Sequence, residues 1–265
     1  TDQNSGVFRM NKRPYILVTN DDGIQAPGID ALIMELQKIA DISIVAPRVE
    51  RSAVGHAITL SDPIRVEKFN KNDQWQGYSV SGTPADCVKI AINAILDKQP
   101  DLVVSGINLG SNTGINVIYS GTVSAATEGA VSGIPSLAIS LTTYTDPDFS
   151  VAAKFAAKMA MHLYLNPIDN NTLLNINVPN VQEEEIKGVK VARQGMVNFA
   201  EKFDRRVDPK NREYFWLTGA KAKIEEPDDV DDKLIKQNYI TITPLQFNLT
   251  DFSKLELVEE RIAKL

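Results

Sequence analysis

Short apolar runs alternate along the chain with longer segments in which apolar positions recur every three or four residues. The first run, "YILVTN" from Tyr15, predicts a buried strand, and "PGIDALIMELQKIA" after it predicts an amphipathic helix. The next run, "DISIVAP", predicts a second strand and completes a βαβ unit. Four apolar runs downstream predict further strands. These are "WQGYSVSG", "PDLVVSGIN", "PSLAISL" and "TLLNINVP".

The segments between these runs predict helices. "TPADCVKIAINAILDKQ" begins with Thr83 as its N-cap and has Asp86 at the third helical position. "TVSAATEGAVSG" contains small residues that allow close packing, and "FSVAAKFAAKMAMHLYLN" is helical by its periodicity. Strands that alternate with helices favour an α/β fold: a three-layer, Rossmann-like, mostly parallel sheet covered on both faces. Ligands of such sheets bind beyond the carboxyl ends of the strands.

The alternation weakens beyond about Glu183, where the chain becomes more charged. We therefore predict an α/β core over residues 10–185, which would carry any catalytic site, and an extension over residues 186–265. The extension contains a predicted hairpin arm in "QGMVNFAEKFDRRVDPKNREYFWLTGAKAKI", where two strand-like runs flank the turn signal "DPKN". A late core strand and a C-terminal helix are predicted to follow the arm.

Composition restricts the kind of protein that this chain can be. With 265 residues, 43% of them hydrophobic, it is large enough for a sizeable globular core. A formal charge of -6 and a pI near 5.1 argue against a broad nucleic-acid-binding surface. Because the sequence has neither a bilayer-spanning apolar stretch nor a secretory signal, we expect a cytoplasmic protein without a membrane partner. The polar leader "TDQNSGVFR" before Met10 is interpreted as a vector remnant or a disordered leader.

The cysteine and histidine content limits the possible metal chemistry. The single cysteine, Cys87, excludes an intrachain disulfide framework. Together with His56 and His162, it is too little for a zinc finger or an HExxH site. Any metal must therefore be held by oxygen.

Two adjacent carboxylates, Asp21 and Asp22, follow the first predicted strand in "NDDG". Such neighbours repel each other at neutral pH unless a proton, a cation or solvent separates their charges. The pair therefore indicates either an exposed Asx-type turn or a bound metal, and the motif alone does not decide between them.

The segment "APRVERSAVGHAIT" after the second predicted strand contains two ambiguous residues. Ser52 alone is more typical of a helix cap or a loop hydroxyl than of a functional group. His56 is compatible with a satisfied loop histidine, a substrate contact or an acid/base group, and we favour the first two because no neighbouring residue would orient it.

The segment "SGINLGSNTGINVIYSGTVSAATEG" alternates glycines, asparagines and hydroxyl residues before it enters a helix. Ser120, Gly121 and Thr122 then lie at a helix N-terminus, where free backbone N–H groups and the helix dipole favour phosphate. Capping and turns alone explain the same residues equally well. The segment matches neither a Walker loop nor a GxGxxG fingerprint.

Taken together, an ordered set of motifs extends over nearly the whole chain after Met10. The motifs are "ILVTNDDGIQAPGI", "VAPRVERSAVGHAIT", "GTPADCV", "PDLVVSGINLGSNTG", "YSGTVSAATEG", "GIPSLAIS", "NINVP" and "ITITPL". With these motifs the chain resembles the SurE survival-protein family of nucleotide phosphatases. The match departs from the family's usual Arg-Ser-Gly and His-Ser pattern at Ala53 and Ala57, which puts the shape of that loop in question.

The resemblance implies one divalent cation per subunit and a phosphate site. The implied cation ligands are Asp21, Asp22, Ser52 and Asn108. The implied phosphate contacts are Asn112, Ser120, Gly121 and Thr122. Carboxylate, hydroxyl and amide oxygens are hard ligands that suit Mg²⁺ or Mn²⁺, which agrees with the implied set.

The activity implied by the resemblance is hydrolysis of nucleoside 5′-monophosphates and 3′-monophosphates by metal-activated water. Asp21 and Asp22 are the implied catalytic residues, and either could also assist proton transfer. One alternative is a receiver-like Mg²⁺-binding signalling domain, but Ser105 and Gly106 stand where its acceptor Asp would be. A second alternative is a non-catalytic nucleotide-binding module.

We also expect a homodimer or a homotetramer. The predicted arm carries more aromatic surface than a ribbon outside a complete core needs, and a two-stranded ribbon is not stable alone in water. Its aromatic residues are Phe199, Phe203, Tyr214, Phe215 and Trp216. The resemblance likewise implies dimers that pair into tetramers, with C-terminal segments such as "DFSKLELVEERIAKL" exchanged between subunits.

Overall fold

The computed structural model describes residues 12–196, 199–221 and 225–263, so the polar leader lies outside the described residues. Within those ranges, nine strands form the main sheet in the order β3-β4-β2-β1-β5-β6-β7-β11-β8. The sheet strands are β1 (Tyr15–Thr19), β2 (Asp41–Pro47), β3 (Val66–Lys71), β4 (Trp75–Val80), β5 (Leu102–Leu109), β6 (Ser136–Leu141), β7 (Leu173–Val178), β8 (Gly188–Val191) and β11 (Tyr239–Leu245). The separate hairpin consists of β9 (Phe199–Val207) and β10 (Glu213–Lys221).

The helices lie between and after these strands, as the alternating pattern predicts. They are α1 (Pro27–Leu36), α2 (Pro84–Ile90), α3 (Gly121–Val131), α4 (Ser150–Leu165), α5 (Asp231–Ile235) and α6 (Leu255–Ile262). Within the described residues, no helix combines the length and the apolar character that a membrane crossing requires.

Most strand pairs in the main sheet are parallel. β1 lies between β2 and β5, and Ile16 is in register with Ile42 on one side and Leu102 on the other. The antiparallel pairs are β3 with β4 and β7 with β11. The predicted α/β fold with a mostly parallel sheet is therefore confirmed.

The strand β1 shows why the sheet is covered on both faces. Ile16 and Val18 belong to one apolar cluster, which also contains residues of α1 and α4. Leu17 points to the opposite face, where it packs in a second cluster with Cys87 and Val88 of α2. Because side chains alternate between the faces of a strand, a continuous apolar run requires cover on both sides.

The helix α2 begins as its sequence predicts. The Thr83 hydroxyl accepts a hydrogen bond from the backbone N–H of Asp86, and the Asp86 carboxylate accepts one from the backbone N–H of Thr83. This reciprocal pair is a capping box. The α-helix ends at Ile90, and a π-helical turn over Ala91–Ile95 continues it, so the predicted long helix has two parts.

The hairpin of β9 and β10 pairs only with itself among the described residues. Its register runs from Val207 opposite Glu213 to Phe199 opposite Lys221. Asp208 closes the turn, since its carboxylate accepts hydrogen bonds from the backbone N–H groups of Lys210 and Arg212. The "DPKN" turn and the predicted arm are therefore present.

Candidate active site

The carboxyl end of β1 and the N-terminus of α3 meet at Asp21. Asp21 is buried, and the Thr122 hydroxyl donates a hydrogen bond to its carboxylate. A Cβ atom on Gly121 would lie 2.6 Å from the Cβ of Asp21. Only glycine permits this approach, so "SGT" at the helix start fits against the "NDDG" turn.

Both carboxylates of the "NDDG" turn have raised pKa values. Burial raises the pKa of Asp21 to about 6, with a further contribution from the charge of Asp22, while the hydrogen bond from Thr122 opposes the rise. Burial also raises the pKa of Asp22, and the nearby charge of Glu50 adds to it. A bound cation would stabilise the ionised form of both carboxylates and lower their pKa values.

The end of β5 lies beside Asp22. The backbone N–H of Leu109 donates to Asp22 Oδ2 at 3.2 Å. The preceding residue, Asn108, donates its amide Nδ2 to the carbonyl of Gly110 at 2.7 Å. The amide oxygen of Asn108 is therefore the atom left to bind a ligand on this side.

The segment that carries Ser52 is fixed to the same turn. The backbone N–H of Arg51 donates to the carbonyl of Asp21 at 2.8 Å. The Ser52 hydroxyl is exposed and donates to Glu50 Oε1 at 2.5 Å. Glu50 thus influences both Ser52, by a hydrogen bond, and Asp22, by its charge.

The first turn of α3 combines capping with open backbone donors. The Ser120 hydroxyl accepts a hydrogen bond from the backbone N–H of Val123 at 3.1 Å, so it serves as the N-cap. The first intrahelical bond runs from Ser124 N to the Ser120 carbonyl at 3.0 Å. The N–H groups of Gly121 and Thr122 precede that bond; the Thr122 N–H interacts with the Asp21 carboxylate, and the Gly121 N–H can bind an anion.

Asn112 is buried and joins the loop after β5 to the sheet. Its backbone N–H donates to Asn177 Oδ1 at 2.8 Å, and its side-chain Nδ2 donates to the Ser140 hydroxyl at 2.9 Å. Its carbonyl accepts from the side chains of Asn175 and Asn177, at 2.8 and 3.0 Å. These bonds give Asn112 an architectural role, and its contact with phosphate stays a prediction.

Comparisons with known proteins agree with this arrangement. The family model described as "Survival protein SurE" matches residues 16–201. The 5′-nucleotidase SurE of Syntrophus aciditrophicus (strain SB) is 52% identical over 250 residues, covering 94% of this chain and 94% of that protein. The chain belongs to the SurE family.

Two further SurE proteins extend the comparison. The 5′-nucleotidase SurE of Syntrophobacter fumaroxidans (strain DSM 10017 / MPOB) is 46% identical over 242 residues, which cover 91% of this chain and 96% of that protein. The crystal structure of the SurE protein from Aquifex aeolicus superposes with a TM-score of 0.82 at 36% identity. That match covers 94% of this chain and 100% of the other. The SurE fold therefore extends over nearly the whole chain.

The predicted ligand set of this SurE chain is spread over three segments. No group of three or more His, Cys, Asp or Glu residues in the described ranges is arranged to hold a metal. A cation at the "NDDG" turn would therefore need hydroxyl or amide oxygens in addition to Asp21 and Asp22. Ser52 and Asn108 are the predicted sources of those oxygens.

Sequence reasoning missed two acidic residues near this SurE site. Glu50, which contacts Ser52, stands in a charged loop and looks like an ordinary surface residue. Glu128 is buried in α3 and accepts hydrogen bonds from His56 and Lys89. Its one available signal was a lone acid among the small residues of "AATEGA".

Proposed function

We propose that this chain is a divalent-metal-dependent 5′-nucleotidase that hydrolyses nucleoside monophosphates to nucleoside and phosphate. The observation that carries the proposal is the contact between Thr122, at the N-terminus of α3, and the buried carboxylate of Asp21. A phosphate-binding element and a candidate cation ligand thus meet at one point. The relatives that bear the name 5′-nucleotidase SurE support the reaction.

In this proposal one Mg²⁺ or Mn²⁺ ion per subunit is held by oxygen atoms. Its proposed ligands are Asp21, Asp22, Ser52 and Asn108. Hard oxygen donors suit either ion. The side-chain oxygen of Asn20 is also buried, without a hydrogen-bond partner in the described part of the chain. The end of β1 therefore has more acceptors than donors, an imbalance that favours a cation.

The protein groups have separate roles in the proposed reaction. When bound, the cation supplies positive charge to the phosphate and lowers the pKa of a bound water. Either carboxylate, Asp21 or Asp22, could accept a proton from the attacking water. The backbone N–H group of Gly121 donates to a phosphate oxygen, and Thr122, Ser120 and Asn112 complete the proposed phosphate contacts. Hydrolysis of 3′-monophosphates is part of the same proposal.

The two alternatives receive less support. In a receiver-like domain, Ser105 would occupy the position of the phosphoryl acceptor, yet Ser105 is fully buried within β5. A non-catalytic nucleotide-binding module would bind AMP without releasing phosphate. Measurement of phosphate release therefore distinguishes it from the enzyme.

The direct experiment measures phosphate release from 5′-AMP, 3′-AMP and glycerol phosphate with Mn²⁺, with Mg²⁺ and with EDTA. We expect turnover of 5′-AMP with either metal and its loss in EDTA. Asp22→Asn should bind Mn²⁺ more weakly and turn over slowly, while Asp62→Asn, at an exposed position, should match the wild-type protein. Full turnover in EDTA would contradict the metal requirement. If neither nucleotide releases phosphate with either metal, the enzyme assignment is contradicted.

We further propose that the protein forms a homodimer or a homotetramer in the cytoplasm, with residues 10–185 as the core and 186–265 as the segment that makes subunit contacts. Exposed apolar side chains on the hairpin and on α6 support this proposal. They include Phe203, Phe215, Trp216, Leu255, Val258 and Ile262. The side chain of Phe199 and the last two residues of the C-terminal segment lie outside the described part.

A further inference from the structure

A buried carboxylate on α3 joins three separate parts of the chain. Glu128 Oε2 lies 2.9 Å from His56 Nε2, and Glu128 Oε1 accepts from Lys89 Nζ at 2.6 Å. Lys89 belongs to α2, and His56 belongs to the loop that follows Ser52. We call residues 52–58 the Ser52 loop. The Glu128 carboxylate therefore ties this loop to both helices on one face of the sheet.

The electrostatics of Glu128 favour a charged link. Burial raises the pKa of its carboxyl, but hydrogen bonds from His56 and Lys89 outweigh that effect and lower the pKa overall. The carboxylate thus stays ionised, and charge-assisted hydrogen bonds are stronger than neutral ones. The His56 side chain is 37% exposed, so its replacement does not open the protein core.

Other contacts fix the two ends of the Ser52 loop. Before the loop, the backbone N–H of Arg51 donates to the Asp21 carbonyl at 2.8 Å. Near its end, the Thr83 hydroxyl donates to the Ala57 carbonyl at 2.7 Å. In the middle, the backbone N–H of Gly55 donates to the carbonyl of Tyr119 at 3.0 Å. Tyr119 directly precedes the first turn of α3, so Gly55 holds the loop near the start of this helix, and His56 holds it further along the same helix at Glu128.

The position of Glu128 in α3 separates His56 from the proposed reaction centre. Glu128 is seven residues after Gly121, which corresponds to about 10 Å along a helix. The Nε2 atom of His56 is engaged by Glu128 at 2.9 Å, about two helical turns from Gly121. This bond suits a side chain that orders the loop.

We propose that His56 is a positioning residue whose bond to Glu128 holds the Ser52 loop against α3 and thereby sets where the Ser52 hydroxyl lies relative to Asp21 and Asp22. This role rests on the cation site of the proposed function. Without the bond, the backbone contacts of Arg51, Gly55 and Ala57 remain, but no side chain of the loop is tied to Glu128, so the loop gains freedom and binding of a cation must also order Ser52. Groups that orient metal ligands commonly change metal affinity more than they change the fold.

The experiment measures Mn²⁺ binding to the intact protein by calorimetry and hydrogen exchange of residues 52–58 by mass spectrometry. His56→Leu should weaken Mn²⁺ binding roughly tenfold. It should also speed exchange of the loop amides, while kcat at saturating Mn²⁺ stays close to that of the wild-type protein. His56→Gln keeps a donor for Glu128 and should restore most of the affinity. The matched control is His162→Leu, which replaces an exposed histidine on α4 and should change neither measurement.

Several results would overturn the role. His56→Leu with wild-type Mn²⁺ affinity and loop exchange would exclude the link. A collapse of kcat at saturating Mn²⁺ in both His56→Leu and His56→Gln would show that His56 acts in the reaction instead. If the wild-type protein binds no Mn²⁺, the proposed cation site is absent and the role of His56 falls with it. Failure of the proposed function is thereby distinguished from failure of the bond between His56 and Glu128.

Discussion

The Thr122 hydroxyl donates a hydrogen bond to the buried carboxylate of Asp21 and so joins the first turn of α3 to the end of β1. The turn proposed to bind phosphate and the carboxylate proposed to hold a cation are thereby joined directly. Gly121 makes this possible, because a side chain there would collide with Asp21. Loss of the Thr122 hydroxyl should therefore weaken phosphate binding and also disturb the position of the Asp21 carboxylate.

Thr122→Val tests this coupling. The valine keeps the side-chain shape but removes a donor to a charged group, a contact of about 1.5–3 kcal/mol. We expect kcat/KM for 5′-AMP to fall by about one to two orders of magnitude. Mn²⁺ affinity should fall less than in Asp22→Asn. Thr122→Ser keeps the donor and should retain most activity, and equal losses in the Val and Ser variants would contradict the hydrogen-bond argument.

The pKa of Asp21 predicts how the stability of chelated protein depends on pH. Burial raises this pKa from 3.8 to about 6, so between those values the folded state binds more protons than the unfolded state. Stability must then fall as pH rises from about 4 to about 6 and stay lower above it, by on the order of 3 kcal/mol. Asp21→Asn removes this contribution, and in EDTA it should be more stable than wild-type protein at pH 7.

Urea unfolding in EDTA across that pH range measures the effect as the difference between wild-type protein and Asp21→Asn. Asp62→Asn, at an exposed position, is the control and should follow the wild-type profile. Added Mn²⁺ should raise the stability of wild-type protein at pH 7 and have little effect on Asp21→Asn. A difference that stays constant with pH would contradict the raised pKa.

The departure from the family pattern at Ala53 should cost folding stability. Its φ of 54° lies in the left-handed region, which residues other than glycine rarely adopt. Ala53→Gly should increase the free energy of unfolding by up to about 1 kcal/mol. Ala57→Gly, in the same loop but outside the left-handed region, is the matched control and should lose stability. Equal losses in both variants in urea unfolding would exclude the strain.

The parts of the fold that the sequence predicts are those with local causes. The buried strand β1 follows from five consecutive residues from Tyr15 to Thr19, and the start of α2 follows from Thr83 and Asp86, which are three residues apart. The edge strand Val66–Lys71 was not predicted because it is mostly exposed and shows no regular apolar alternation. Pairing with β4 forms this strand, and that partner is not visible in its own sequence.

The candidate site divides in the same way. Asp21, Gly121 and Thr122 belong to motifs at predicted strand and helix ends, so the resemblance and local chemistry both indicated them. The partner of His56 is 72 residues away in the sequence, and the two meet only because the folded chain places the loop of His56 against α3. A contact between distant segments cannot be inferred from the residue types in either one.

Asp231 connects the loop after β5 with the base of the hairpin. Its buried carboxylate accepts hydrogen bonds from the backbone N–H groups of Gly114, Gly195 and Asp232, at 3.0, 3.0 and 2.8 Å. Asp231→Asn retains one acceptor oxygen, so at least one buried N–H group loses its partner at a cost on the order of 2 kcal/mol. We also expect a higher KM for 5′-AMP, since Gly114 is close in sequence to Asn112, and little change in Mn²⁺ affinity.

Urea unfolding and steady-state kinetics check the role of Asp231. Asp229→Asn is the matched control, because its carboxylate forms an exposed ion pair with Arg193 that contributes little to stability. Asp231→Asn with the stability and KM of the control would show that the second acceptor oxygen of Asp231 is dispensable.

The register of the hairpin places Phe203, Phe215 and Leu217 on one face, while Tyr214 and Trp216 lie on the other. Phe203 is opposite Leu217 and Arg205 is opposite Phe215, so these four side chains share a face. Phe203 is 65% exposed and Leu217 is 60% exposed, more apolar surface than an isolated ribbon can maintain in water. If this face contacts a partner subunit, Phe203→Ser with Leu217→Ser should lower the assembly mass. The control pair on the opposite face is Lys202→Ser with Thr218→Ser. Light scattering at micromolar concentration measures the assembly mass. If both double variants have the wild-type mass, the face of Phe203 and Leu217 is not part of the interface.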